Sequence, residues 1–129
     1  MRTLLLDYLT TNLTGSIKPS QELPYEEGGN PLYYKNSRRV YLDEPYTEMD
    51  ELIGTLDGDI NQKITIIRGY LVVDAKNRNA DLDAALSTLA AAKDVATITT
   101  SFRKEFDYTT TLDADRLLYE FEYRFYTIA

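Results

Sequence analysis

The segment Lys63–Asp74 (Lys-Ile-Thr-Ile-Ile-Arg-Gly-Tyr-Leu-Val-Val-Asp) constrains the fold more than any other part of the chain. Its apolar and β-branched residues fall on both alternating phases. As a strand it would bury both faces, which places it in the middle of a sheet. Such a strand needs a partner on each edge. Near the C-terminus, Leu117, Tyr119, Phe121, Tyr123 and Phe125 alternate with Leu118, Glu120, Glu122, Arg124 and Tyr126. Before them Ile98, Phe102, Phe106 and Tyr108 alternate with Thr97, Thr99, Ser101, Arg103, Glu105 and Asp107. Both segments have the period of two expected of strands with one buried face, joined as a hairpin by the polar stretch Thr109–Arg116.

Cover for that sheet is encoded at two places. Leu5, Leu9 and Leu13, with Leu6 beside them, form an apolar stripe that predicts a helix over residues 3–13. Thr3 is its candidate N-cap, and Thr14-Gly15-Ser16 would end it. A second helix is predicted over Asp81–Val95, with Leu82, Leu86 and Leu89 on one face, small alanines around them and Asn79 or Asp81 as the cap. Between these helices, Arg38-Arg39-Val40-Tyr41-Leu42 has strand composition, and Pro45 interrupts it. Asp57-Gly58 then suits a two-residue turn. The predicted order is α-β-β-α-β-β: an α+β fold with a mainly antiparallel four-stranded sheet and two helices packed on one face. At 129 residues the chain suits a single domain, 1–129, large enough to hold a core.

Two segments stand apart. Residues 14–37 hold Pro19, Pro24, Pro31, Gly15, Gly28 and Gly29 and lack periodicity. They predict a long loop after the first helix, with a short extended piece near Leu32-Tyr33-Tyr34; loops of this length often carry interactions. Residues 43–62 predict an acidic hairpin extension. From Asp43 to Asp59 there are seven acids (Asp43, Glu44, Glu48, Asp50, Glu51, Asp57, Asp59) and no Lys or Arg, while the whole chain has a net charge of −7. The rest of the chain therefore balances to zero.

That balance and the missing residue types exclude much chemistry. There is no Cys, so no disulfide, thiolate nucleophile or thiolate metal site, and no His to act as a general base near neutral pH. A pI near 4.5 argues against stable binding to a phosphate backbone, which relies on Lys and Arg. Asp57, Asp59 and Asn61 match the start of a calcium loop, but Gln62 stands where the turn needs Gly and Arg68 where a bidentate Glu belongs. Asp81/Asp83 and Asp113/Asp115 are explained by helix-start and turn preferences. Gly28-Gly29 and Gly54 lie in no phosphate-binding pattern. No metal, cofactor or catalytic residue is expected, and neither a signal peptide nor an apolar span long enough for a membrane is apparent. A soluble, cytoplasmic protein is expected.

The remaining candidates are surfaces. Tyr33, Tyr34, Tyr41 and Tyr46 gather beside the acidic stretch, where they could serve an interface or pack on the chain's own sheet. Seven like charges on one extension repel one another and would gain from basic groups on a neighbour.

The order and length of these elements resemble the tail terminator (tail completion) proteins of lambda-like long-tailed bacteriophages. The resemblance rests on the leucine-rich helix Met1–Leu13, the strand Val40-Tyr41-Leu42, the polar-tipped hairpin into Lys63–Val73, the helix Asp81–Val95 and the closing pair of strands. Phe106-Asp107-Tyr108, a turn with Asp113 and Asp115, and the aromatic final strand Tyr119–Tyr126 carry most of it. It implies a structural virion protein without catalytic residues. Such a protein would form a ring, as a hexamer, on the end of the tail tube, stop tail polymerisation and offer a surface to the head. Its partners would be further copies of itself, the tail tube protein and a head–neck connector protein, with DNA only passing through the lumen. It would reside in the virion tail or neck, and in the host cytoplasm during assembly. On this basis Glu44, Glu48, Asp50, Glu51, Asp57 and Asp59 would line the lumen or meet Arg38 and Arg39 of the next subunit. Other readings are a head-closure or connector protein of the same neck, a small hydrolase using carboxylates and Mg²⁺ or Mn²⁺, and a plain adaptor domain.

Overall fold

A computed structural model describes residues 1–55, 58–74, 80–94 and 101–128, without the side chains of 50–60 and 80. In chain order the elements are α1 (Arg2–Asn12), β1 (Lys18–Pro19), α2 (Leu32–Lys35), β2 (Arg39–Leu42), β3 (Tyr46–Thr55), β4 (Gly58–Asp74), α3 (Ala80–Ala91), a 3-10 turn (Ala92–Asp94), β5 (Arg103–Asp113) and β6 (Arg116–Ile128). The fold is α+β with a mostly antiparallel sheet. The sheet has six strands in the order β1-β2-β4-β6-β5, with β3 also paired to β4, and so differs from the four expected.

β4 is the centre. It pairs with β6 along Gln62–Asp74 on one edge, and with β3 and then β2 on the other. Between the pairs Leu42↔Gly69 and Tyr46↔Ile66, the β2–β3 side advances four residues while β4 advances three. The extra residue lies in Asp43-Glu44-Pro45, so Pro45 breaks one long strand into two collinear ones, as its missing N–H requires.

On the helix face the core is continuous. Leu5, Leu6 and Leu9 of α1, Leu13 just after it, and Leu82, Ala85, Leu89 and Ala92 of α3 and its 3-10 extension are buried with Ile67, Leu71, Tyr119, Phe121, Tyr123 and Phe125. The α3 positions recur every three or four residues, the period of a helix face. Tyr123 donates its hydroxyl proton to the Leu89 carbonyl, so its only polar atom is satisfied inside the core. α1 starts at Arg2 with Met1 in the cap position, so Thr3 lies inside the helix instead of capping it. The Arg2 guanidinium binds the carbonyls of Leu42 (2.9 Å), Gln21 (3.1 Å) and Glu22 (3.2 Å), tying the helix start to the end of β2. Asp81 lies in the first turn of α3, and its carboxylate receives the Ser16 N–H (3.4 Å) and hydroxyl (3.2 Å) from the turn after α1. Asn79, the other predicted cap, lies outside the described residues.

The second face is covered as well, by part of the predicted loop. Residues 14–37 are not a plain loop: Lys18–Pro19 pairs in parallel with β2, and Leu32–Lys35 is a helical turn where an extended piece was expected. Pro31 precedes that turn with φ preset, which favours its start. The turn sets Tyr33 against Tyr41, Val72 and Leu118. A further correction concerns the closing hairpin. Thr109–Asp113 continue β5 in unbroken register with β6, and only Ala114-Asp115 turns. Threonine's β-branch suits a strand even where polarity suggests a turn. The predicted start of this strand at Thr97–Ile98 lies outside the described residues, as does Leu56-Asp57.

Two substitutions test this packing. Gly69 faces Phe121 across the β4–β6 ladder, and a Cβ there would lie 2.2 Å from the buried ring and 2.9 Å from the Tyr41 carbonyl. Gly69→Ala should destabilise by about 1–3 kcal/mol in chemical unfolding, and Phe121→Leu in the same chain should cost less than the two single losses added. Ala114 holds φ 55, a region that costs an L-residue about 1 kcal/mol or more. Ala114→Gly should therefore raise stability by roughly 0.5 kcal/mol after the entropy of the freer unfolded chain is subtracted.

Candidate assembly surface

Four exposed features remain once the core is accounted for. The first is the tyrosine cover. Tyr33 stacks on Tyr70 with ring centroids 4.5 Å apart, and Tyr25 meets both edge-on at 5.8 Å while donating a hydrogen bond to the Tyr70 hydroxyl (3.2 Å). Arg116 lies over the Tyr34 ring at 5.1 Å and binds its carbonyl at 2.7 Å. Tyr33 and Tyr41 are buried, and Tyr41 accepts from the Asn36 amide. These two candidate interface aromatics are therefore used within the chain. Tyr34 is half-buried, while Tyr46 is exposed beneath the Arg68 guanidinium at 5.5 Å.

The second feature is the charged centre of that same face. β4, β6 and β5 align Arg68, Glu122 and Asp107 in one row and Tyr70, Glu120 and Thr109 in the next. They line an open groove of about 300 Å³. Glu122 is paired with Arg124 at 2.7 Å and lies 4.0 Å from Arg68. Carboxylates outnumber guanidinium groups here, so the groove offers no site for a phosphate.

The third feature is the β3–β4 hairpin. β6 accompanies β4 only from Gln62 onward, so the part of the hairpin beyond Asp50↔Gln62 extends past β6 as a two-stranded arm. Glu44 and Glu48 are exposed at its base. Asp50, Glu51 and Asp59 occupy strand positions further along it, while Asp57 lies outside the described residues. Arg38 and Arg39 lie at the other end of the sheet. Arg38 is half-buried with φ 62, its N–H bonded to the Val72 carbonyl, and Arg39 is exposed at the start of β2. From the level of Val72 to Gly58 is fourteen residues of β4, roughly 45 Å at 3.3 Å per residue. The chain does not bring the two arginines and the arm together.

The fourth feature was not apparent from the sequence: among the described residues both long edges of the sheet are open, β5 pairing only with β6 and β3 only with β4. Large apolar side chains remain exposed along them: Met49 on β3 (61%), Phe102 before β5 (55%), and Tyr108 (48%) and Leu112 (65%) on β5. Unprotected edges of this length are pairing sites unless something covers them. Among the described residues no cluster of three or more Asp, Glu, His or Cys side chains could hold a metal ion, and no helix is long and apolar enough to cross a membrane. No family model matches the chain, and no curated protein matches it significantly.

Burial raises the pKa of the Tyr33, Tyr70 and Tyr123 hydroxyls above the ordinary value, reinforced for the first two by their hydrogen-bonded and charged neighbours. A raised native value means that folding retains protons that the unfolded chain releases. Stability is thus fully present below the ordinary tyrosine pKa of about 10 and declines above it. Chemical denaturation at pH 9, 10 and 11 should show a falling midpoint across the upper interval. Tyr70→Phe should reduce that fall, because it removes one of the groups whose ionisation folding opposes.

Proposed function

We propose that this chain is a structural subunit of a bacteriophage tail, a terminator that forms a ring on the end of the tail tube. There it would stop tail polymerisation and provide the head-attachment surface. The observation that carries this reading is the order of elements around the sheet: the leucine helix, the hairpin running into a central strand, the second helix on the same face and the aromatic closing hairpin. Those are the features on which the resemblance to lambda-like tail terminators rests. Two open sheet edges and an acidic arm give the chain surfaces suited to self-assembly.

In this reading the subunits make head-to-tail contacts, and the ring is a hexamer. Its outer partners are the tail tube protein on one side and a head–neck connector protein on the other. The acidic positions Glu44, Glu48, Asp50, Glu51, Asp57 and Asp59 either meet cations of the next subunit or face the lumen. In the lumen their charge would repel DNA and let it slide through. The protein would belong to the tail or neck of the virion and would perform no catalysis.

The test is absolute mass in solution across concentration, by light scattering or native mass spectrometry, with negative-stain images before and after adding tail tubes. A ring of about six copies, or a monomer that forms one on tube ends, is the expected result. A strict monomer that ignores tubes would overturn the proposal, and binding to portal complexes instead of tubes would move the protein to the head side of the neck. Reversing Glu48 and Asp50 to Lys should weaken ring formation roughly tenfold or impede DNA passage. Normal assembly and normal infectivity of that variant would remove these two residues from the account.

A further inference from the structure

The strand register relates the two open edges to each other. Glu48 of β3 pairs with Ile64 of β4, Ile64 with Tyr126 of β6, and Tyr126 with Arg103 of β5. Glu48 and Arg103 thus end the same row of the sheet, on the same face, at opposite edges. Both are exposed. Glu48 has no basic residue near it in sequence, and the exposed Arg103 contacts Glu105 at 2.7 Å and lies over the Tyr126 ring at 5.1 Å. Exposed ion pairs of that kind contribute little and exchange readily. Each of the two residues also has an exposed apolar neighbour, Met49 beside Glu48 and Phe102 beside Arg103.

We infer that β5 of one copy pairs with β3 of the next, Tyr46–Asp50 against Ser101–Glu105, with Arg103 beside Glu48 of the neighbouring subunit. This deepens the ring reading and rests on it. Successive antiparallel pairings make β3 and β5 run in opposite directions within one chain. A rotation about an axis along the strands preserves those directions, so β5 meets the next β3 antiparallel. It also preserves height, so residues ending one row meet each other. That is the condition for a head-to-tail contact to close without drifting along the axis. The pairing ends where Pro45 follows, because Pro45 has no N–H to donate. Met49 and Phe102 become covered in the same contact. Lys104, next to Arg103, adds a second cation against an edge whose nearest charges are Glu44, Glu48, Asp50 and Glu51.

The experiment uses the full chain, measured by native mass spectrometry and light scattering, as wild type, Glu48→Lys, Arg103→Glu and the double variant. Each single reversal should weaken assembly at least tenfold, and the double variant should regain most of it, because the pair is restored with its signs exchanged. Since the chain has no Cys, Glu48→Cys with Arg103→Cys provides a second readout. The two positions stand three strand spacings apart within one chain, roughly 14 Å, too far for an internal disulfide. Mild oxidation should therefore give a ladder of covalently joined copies, ending at the ring.

Rings of normal mass with neither charge coupling nor a ladder would overturn this contact and leave the ring reading intact. A ladder that grows into open filaments would keep the contact and overturn the ring. A dimer sensitive to Arg103→Glu but not to Glu48→Lys would overturn it and place β5 against β5. A chain that stays monomeric at every concentration, with no ladder, would overturn it too, whatever its binding to tubes.

Discussion

Burying both faces of a single strand demands more than one layer of cover, and β4 imposes that demand on the whole chain. Ile67, Leu71 and Val73 enter the helix-covered core, while Ile64, Ile66 and Val72 are buried on the opposite face. Two helices suffice for the first face. On the second, the chain uses the segment between α1 and β2, turned back by prolines, to bring Tyr25, Tyr33 and Tyr34 over β2 and β4. Gly69 is part of the same constraint. Phe121 is wide enough to fill the core only because the strand opposite it has no side chain at that level. An aromatic residue lying across a cross-strand glycine is a known way to stabilise that weak position.

The tyrosine cover changes what remains for partners. An aromatic cluster near an acidic segment suggests an interface when seen in the sequence, because tyrosine suits both uses. Its rings here stack on one another, and Tyr33 and Tyr41 are buried. Arg116 and Arg2, unremarkable in the sequence, hold backbone carbonyls of the covering segment at Tyr34 and at Gln21 and Glu22. Cover pinned in this way is unlike a surface awaiting a partner. The most exposed of the large apolar side chains on β3 and β5, Met49 and Leu112, lie instead along the sheet edges.

Long periodic segments were legible in the sequence and short ones were not. The apolar phases of Lys63–Asp74, the alternation from Leu117 to Tyr126 and the leucine stripes of α1 and α3 each span enough residues for burial to mark them. β1 has two residues and α2 four, so neither is long enough to repeat its period. Their positions are set by contacts with β2 and β4, remote in sequence. Thr109–Asp113 misleads in another way. An edge strand exposed on its outer side can be polar throughout, so polarity there separates buried from exposed, not strand from turn. The relation between Glu48 and Arg103 could not be read at all, because it depends on the register of three strand pairs.

The uneven charge acquires meaning only once the edges are known. An acidic β3 pairs poorly with another β3, since an antiparallel pair centred on Met49 would set the position of Glu48 opposite that of Asp50, and like charges side by side oppose pairing. A strand that lies along it is favoured when it sets a cation opposite Glu48. The chain begins its other open edge with Arg103 and Lys104, and so carries a complementary partner on the far side of its own sheet. Complementary edges on opposite sides cannot satisfy each other within one copy. They favour a contact that each copy makes once as donor and once as acceptor, and such a contact must either close into a ring or run on as a filament. The shared height of Glu48 and Arg103 favours closure, because a rotation alone then superimposes one edge on the other.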